Sequence, residues 1–142
     1  LGRINIAARG AGMAKGATNM ALHYAMERKT FGKTIAEHQA IQLKLAEMST
    51  RAAAAELLVH QAAKKFDQQE RCDLEAGQAK FFASEAAVQN SLDAMRVFGG
   101  YSYSPDYEIE RFYRDAPLLC IGEGTNEIQR MIIAKQMVAR AG

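Results

Sequence analysis

The sequence predicts an all-α fold: an up-and-down four-helix bundle with an additional short helix, filling residues 1–142 as one domain. Three observations predict it. Much of the 49% hydrophobic content is alanine, the strongest helix former. The two prolines, Pro105 and Pro117, both lie in the last third, so a long stretch carries nothing that breaks a helix. Ile41, Leu45, Met48, Ala52, Ala55, Val59, Ala62 and Phe66 recur at spacings of four and three, one continuous apolar stripe.

In chain order, the first helix is expected over about residues 2–29. Gly10, Gly12 and Gly16 lie among its apolar residues, and each costs about 1 kcal/mol against alanine, so their presence points to close approach by a neighbouring helix or ligand. A loop follows at Thr30–Thr34. The second helix carries the stripe above and ends in the polar run 67–71. The third is expected over 73–97. Phe81, Val88, Leu92 and Met95 form one face, Ala76, Ala79, Ala83 and Ala86 a small-residue face, and Gly99-Gly100 stops it. After an aromatic loop, a short helix is expected over Asp106–Tyr113 and a loop over Asp115–Gly124. The last helix runs from an N-cap at Thr125 or Asn126 to about Arg140.

Several functional classes are disfavoured. The formal charge is +2 with both signs interspersed, unlike a nucleic-acid footprint. No apolar run has the length of a membrane span, and no signal segment opens the chain. The opening at Leu1 has a mid-helix pattern, which suggests a piece of a longer protein. Cys72 and Cys120 lack metal-ligand spacing, and a reduced compartment is the mild inference. The histidines are His23, His38 and His60. No second Glu-x-x-His pair accompanies them, so no metal site is expected. No serine or cysteine has a nucleophile-elbow context.

Three segments could carry chemistry. In 121–130, the carboxylate of Glu123 stands between Gly122 and Gly124 just before a helix. A flat ligand could approach there, and free N–H groups face it. In 96–101, Gly99-Gly100 exposes backbone beside a helix end. In 27–33, Arg28, Lys29 and Thr30 place cations and a hydroxyl at a helix-to-loop junction, a pattern suited to phosphate. Taken locally, each also reads as ordinary helix-end chemistry: a Gly-rich start, a C-cap, and cations favoured by the helix dipole.

The ordered set is far more specific. The strings 27–33, 37–41 (Glu37-His38-Gln39-Ala40-Ile41), 97–101, 109–111, 113–116 and 123–130 resemble the C-terminal helical domain of the acyl-CoA dehydrogenase family along nearly the whole chain. That resemblance implies an N-terminal helical domain and a middle β domain outside this chain. It implies an FAD-dependent dehydrogenation of an acyl-CoA to a trans-2-enoyl-CoA, with Glu123 as the base for the α-proton. Gly124 and Arg3 would line the substrate site. Arg28, Lys29, Thr30, Phe31, His38 and Gln39 would contact FAD. Arg96, Val97, Phe98, Gly99 and Gly100 would do so from a neighbouring subunit, and Thr125, Asn126 and Glu127 would touch the flavin nucleotide. A homotetramer, an electron-transfer flavoprotein partner, and a bacterial cytoplasmic or mitochondrial-matrix location are implied as well.

Chemistry supports the assignment. A thioester α-proton is far too weakly acidic for an exposed carboxylate of pKa about 4. Exclusion of water by substrate raises a carboxylate's basicity, and backbone N–H donors stabilise the enolate-like oxygen. Many family members carry glutamine at the position of Arg96 and tyrosine at that of Gly122. Some relatives place the base at the position of Gly2, which favours Glu123 here. An acyl-CoA oxidase of the same fold, and a non-catalytic helical oligomerisation module, are the competing readings.

Overall fold

The computed structural model describes residues 1–142. Its helices are α1 (Gly2–Glu27), α2 (Gln39–Asp67), α3 (Asp73–Phe98), α4 (Ile109–Ile121) and α5 (Asn126–Ala141), with a hairpin of β1 (Lys29–Thr30) and β2 (Lys33–Thr34) between α1 and α2. Short 3-10 turns cover Ile35–Glu37 and Gly99–Tyr103.

Side-chain contacts fix the direction of each helix. Arg3 meets Asp73 at one end and Tyr24 stacks on Phe98 at the other, so α1 and α3 run parallel. The Asn90 amide donates to Ala14 O of α1 and Met48 O of α2, which places α2 beside both, and the pairs Lys44–Asp93 and Lys65–Glu75 run it antiparallel to α3. Asn126 meets Ser84 and Arg140 meets Glu75, so α5 descends along α3. Phe112 of α4 lies against Gly16 of α1. The arrangement is the expected up-and-down bundle, with its fourth member divided into α4 and α5 and α3 touching every other helix.

The core is mostly alanine. One apolar cluster joins Ile4–Ala14, Ala52–Ala62 and Ala76–Ala86, and a second joins Ala17–Ala25, Met48, Ala94–Phe98 and Ile109. Small residues let the backbones close in: a Cβ on Gly10 would lie 2.7 Å from the Ala83 carbonyl oxygen. This decides which face of α3 turns inward. The alanines at 76, 79, 83 and 86 are buried, whereas Phe81, Val88, Leu92 and Met95 are only half-buried.

Two segments depart from the sequence-based expectation. The loop expected at 30–34 is a two-residue hairpin with register Lys29↔Thr34 and Thr30↔Lys33. Phe31 (φ 52°) and Gly32 (φ 81°) form its turn, both left-handed as the strand twist of a tight hairpin requires. The short helix is not 106–113 but Ile109–Ile121, so most of the loop expected at 115–124 is helical. Pro117 removes one intrahelical bond, yet Ile109, Ala116 and Leu119 are buried on one face, and that packing carries the helix through it.

Candidate active site

The interruption between α4 and α5 is built by four residues. Gly122 N–H donates to Leu118 O (2.8 Å) and closes α4. Glu123 (φ 55°) and Gly124 (φ 88°) both turn left-handed. Thr125 is extended, and its Oγ1 accepts from Ile128 N–H as the cap of α5. A left-handed glutamate is strained by about 1–3 kcal/mol and persists only where its surroundings hold it. Here Gln129 Nε2 donates to Gly124 O (3.2 Å), and Gln129 is itself buried.

Glu123 is exposed, and its carboxylate lies against the Cα of Gly2 in the first turn of α1. A Cβ at position 2 would overlap Glu123 Oε2 and come within 2.9 Å of Cδ. The first turn of α1 and the α4–α5 interruption therefore form one surface. Arg3, expected on the substrate side, turns to α3, where its guanidinium holds Asp73 Oδ1 at 2.7 Å. That bond, with a second from Arg71, keeps the Asp73 carboxyl below its ordinary pKa. Glu127 is exposed at the first turn of α5. Its own backbone N–H and Thr125 stabilise the carboxylate and lower its pKa. Asn126, expected among the cofactor contacts, points the other way. Its amide is buried among α3 side chains, accepting from Lys80 (2.8 Å) and donating to Ser84 (3.0 Å) and Glu85 (2.7 Å).

The remaining candidates meet at the far end of α1, around a cavity of about 460 Å³. Arg28 caps α1 there with its guanidinium 5.4 Å from the Tyr101 ring. Thr30 Oγ1 shares a hydrogen bond with His38 Nε2 (3.0 Å). Val97 and Phe98 are buried and form the floor, where Phe98 stacks on Tyr24. Burial pushes the Tyr24 hydroxyl up, against the opposing charge of Arg28. Gly99 (φ 62°) and Gly100 bring bare backbone to the rim, and a Cβ on either would meet nothing within 4 Å. Phe31 stands 97% exposed on the hairpin tip, edge-on to His38. Lys29 and Gln39 are exposed nearby, and Arg96 is tied back to Asp93 Oδ1 at 3.1 Å.

A guanidinium, a hydroxyl, aromatic walls and open backbone suit an aromatic nucleotide with its phosphates. These residues therefore fit the adenosine and phosphate part of FAD, and nothing there would hold a reacting carbon. Glu123 stands at the opposite end of the 26-residue α1, about 39 Å away at ~1.5 Å per residue. The sequence-based candidates thus form two places rather than one.

Sequence reasoning missed Lys80, Ser84 and Gln129. Lys80 is fully buried and donates to Cys120 O (3.0 Å) and Asn126 Oδ1. The available signal was its position, a lysine on the alanine face of α3 between Ala76 and Ala83.

The family model for the acyl-CoA dehydrogenase C-terminal domain matches residues 1–138. The chain is 49% identical over 138 residues to a 3-(aryl)acrylate reductase of Clostridium sporogenes, covering 97% of this chain and 37% of that protein. It is 50% identical to an acyl-CoA dehydrogenase of Bacillus subtilis, covering 97% and 36%. The structure of butyryl-CoA dehydrogenase from Megasphaera elsdenii superposes with a TM-score of 0.94 at 38% identity, covering 96% of this chain and 36% of that one. The chain thus spans little more than a third of the relatives it matches, and it belongs to the acyl-CoA dehydrogenase family as the C-terminal helical domain.

Proposed function

We propose that the complete protein is an FAD-dependent acyl-CoA dehydrogenase in which Glu123 removes the α-proton of the thioester. The observation that carries this reading is a strained, Gly-flanked carboxylate at a helix interruption, seated on a helix turn whose facing residue has no side chain. When bound, FAD supplies the acceptor for the β-hydride. The chain's own residues do the rest. Glu123 takes the proton once substrate covers it and displaces water. The N–H groups of Glu123 and Gly124 find no backbone acceptor in the chain and are free to bond the thioester oxygen. Gly122 and Gly124 keep bulk away from the acyl group.

Arg28, Thr30, His38 and the Gly99-Gly100 rim would hold the nucleotide end of a flavin, with Lys29, Phe31, Gln39 and Arg96 around them. Because that rim is so far from Glu123, one FAD does not reach both places on one chain. This supports an oligomer, a homotetramer by family likeness, in which each chain's rim serves a neighbour's flavin. Electrons would leave through an electron-transfer flavoprotein. No helix is long and apolar enough to cross a membrane, and a cytoplasmic location is proposed from the bacterial relatives.

A second reading concerns direction. One relative is named a 3-(aryl)acrylate reductase. In that direction Glu123 would deliver the α-proton to the double bond, as microscopic reversibility requires.

The test is anaerobic bleaching of the flavin by a panel of acyl-CoA thioesters, straight-chain, branched and aryl-bearing. Wild-type protein is expected to bleach with at least one member, and Glu123→Gln is expected to retain FAD and lose bleaching. A Glu123→Gln protein that bleaches at the wild-type rate refutes the base. Hydrogen peroxide release in air would instead identify an oxidase.

A further inference from the structure

We propose that Lys80 is a positioning residue for Glu123, its ammonium fastening to α3 the two helix ends that flank the interruption. The inference rests on the reading of Glu123 as the base. Lys80 Nζ donates to Cys120 O at 3.0 Å and to Asn126 Oδ1 at 2.8 Å. Cys120 lies three residues before Glu123 and Asn126 three residues after it. One buried cation therefore bonds both shoulders of the catalytic link. The Cys120 carbonyl is among the last of α4, which have no intrahelical partner. Asn126 is the first residue of α5.

The neighbouring groups orient the clamp. Ser84 Oγ donates to Lys80 O (2.8 Å) and accepts from Asn126 Nδ2 (3.0 Å). Asn126 Nδ2 also donates to Glu85 Oε1 (2.7 Å), so the amide cannot flip without losing both bonds and turning a donor towards the ammonium. Lys80, Ser84 and Asn126 are all at most 2% exposed.

A lysine is a poor choice for that place if packing were its only task. A buried ammonium is unfavourable unless its bonds offset the lost hydration. Ala76, Ala79 and Ala83 of α3 are buried around it in sequence, and an apolar side chain would be at home beside them. The burial is felt by the group itself, whose pKa is pushed below the ordinary lysine value. What the ammonium does, and a methyl cannot, is bond oxygens from two different helices at once. That fixes both ends of the four-residue link and leaves Glu123 few ways to stand.

The test uses the complete flavoprotein with butyryl-CoA and 3-phenylpropionyl-CoA as probes. In Lys80→Met, flavin reduction at saturating probe is expected to slow about a hundredfold, the scale of a misplacement near 1 Å. FAD content and probe Kd stay at wild-type values. The α-deuterium isotope effect on reduction rises, because proton removal has become the hard step. Backbone amides at 122–128 exchange faster, while those in the middle of α1 and α2 do not change. Lys80→Arg restores part of the rate. Reduction at the wild-type rate, an unchanged isotope effect, or loss of rate only in proportion to lost FAD overturns the proposal and leaves Lys80 a structural residue. If Lys80→Met does not fold, Asn126→Ser carries the same expectations, since it keeps the lysine and removes its α5 partner. The base itself is judged separately, by Glu123→Gln. Bleaching that survives there fails the base whatever Lys80 does, and bleaching lost there but normal in Lys80→Met fails only the clamp.

Discussion

The carboxylate of Glu123 stands where it does because position 2 carries no side chain. A methyl group there would occupy the space of Glu123 Oε2. Gly2→Ala is therefore expected to leave the melting temperature unchanged or raise it, since alanine favours the helix by up to about 1 kcal/mol. The same change should slow flavin bleaching by ~10-fold or more through displacement of the proposed base. Calorimetry and stopped-flow reduction on the same preparation check both halves, and a normal rate would show that the carboxylate tolerates the shift. At this scale the sequence was half legible. Glycines on either side of a glutamate are visible in a string. Gly2, Lys80 and Gln129 act on the link through space, and Gly2 and Lys80 lie so far from it along the chain that only the fold brings them together. Asn126 shows the converse. Its type suits both a ligand contact and a buried amide, and only the packing of α5 on α3 turned it inward.

Beyond the alanine packing, ion pairs on buried carboxylates join the helices. Glu75 receives two bonds from Arg140 and one from Lys65, which tie α5 and α2 to the start of α3. The Arg140 guanidinium, more than Lys65, lowers the Glu75 carboxyl from its ordinary 4.5 to about 2 against the opposing effect of burial. A carboxyl depressed by folding stabilises fully above its unfolded value and stops doing so as pH falls through its folded value. Amide protection along α5 should therefore decline as pH drops from 4.5 towards 2, and Glu75→Gln should flatten that decline. Hydrogen exchange across this range is the measurement. At the other end of α3, burial raises the pKa of Asp93 but bonds from Arg51 and Lys44 outweigh it, so the group stays ionised. Arg51→Met should destabilise by about 1–2 kcal/mol, read by urea unfolding, because it strips the 2.7 Å partner from a buried carboxylate that still keeps Lys44 and Arg96. The stripe on α2 was readable because its large and small residues share one face. On α3 the sequence offered a large-residue face and an alanine face without ranking them, since alanine is indifferent to burial in a sequence pattern while close helix contact demands it. The extent of α4 was missed for a related reason: burial of Ile109, Ala116 and Leu119 on one face carries the helix past Pro117.

Across the whole molecule, the two candidate places lie at opposite ends of the longest axis, and each is open to solvent. A lone domain offers a flavin only the rim at Arg28 and Gly99. The 1–142 fragment is accordingly expected to hold FAD weakly or not at all, and equilibrium dialysis checks it. Tight one-to-one binding would show that the rim suffices without a second subunit or the other domains. The division of the fourth rung of the bundle has a different kind of consequence. Ile121 at the end of α4, and Glu123 and Gly124 of the link, are exposed between Cys120 and Asn126, which are both pinned to α3. A substitution at exposed Ile121 touches no core alanine, whereas Gly124 is held by its left-handed φ of 88° and by Gln129, 2.8 Å from an added Cβ. Such a joint makes the fold evolvable: on the proposed reading, a different acyl group could be met by rewriting the exposed positions beside the link, with the framework's ability to fold left out of the trial.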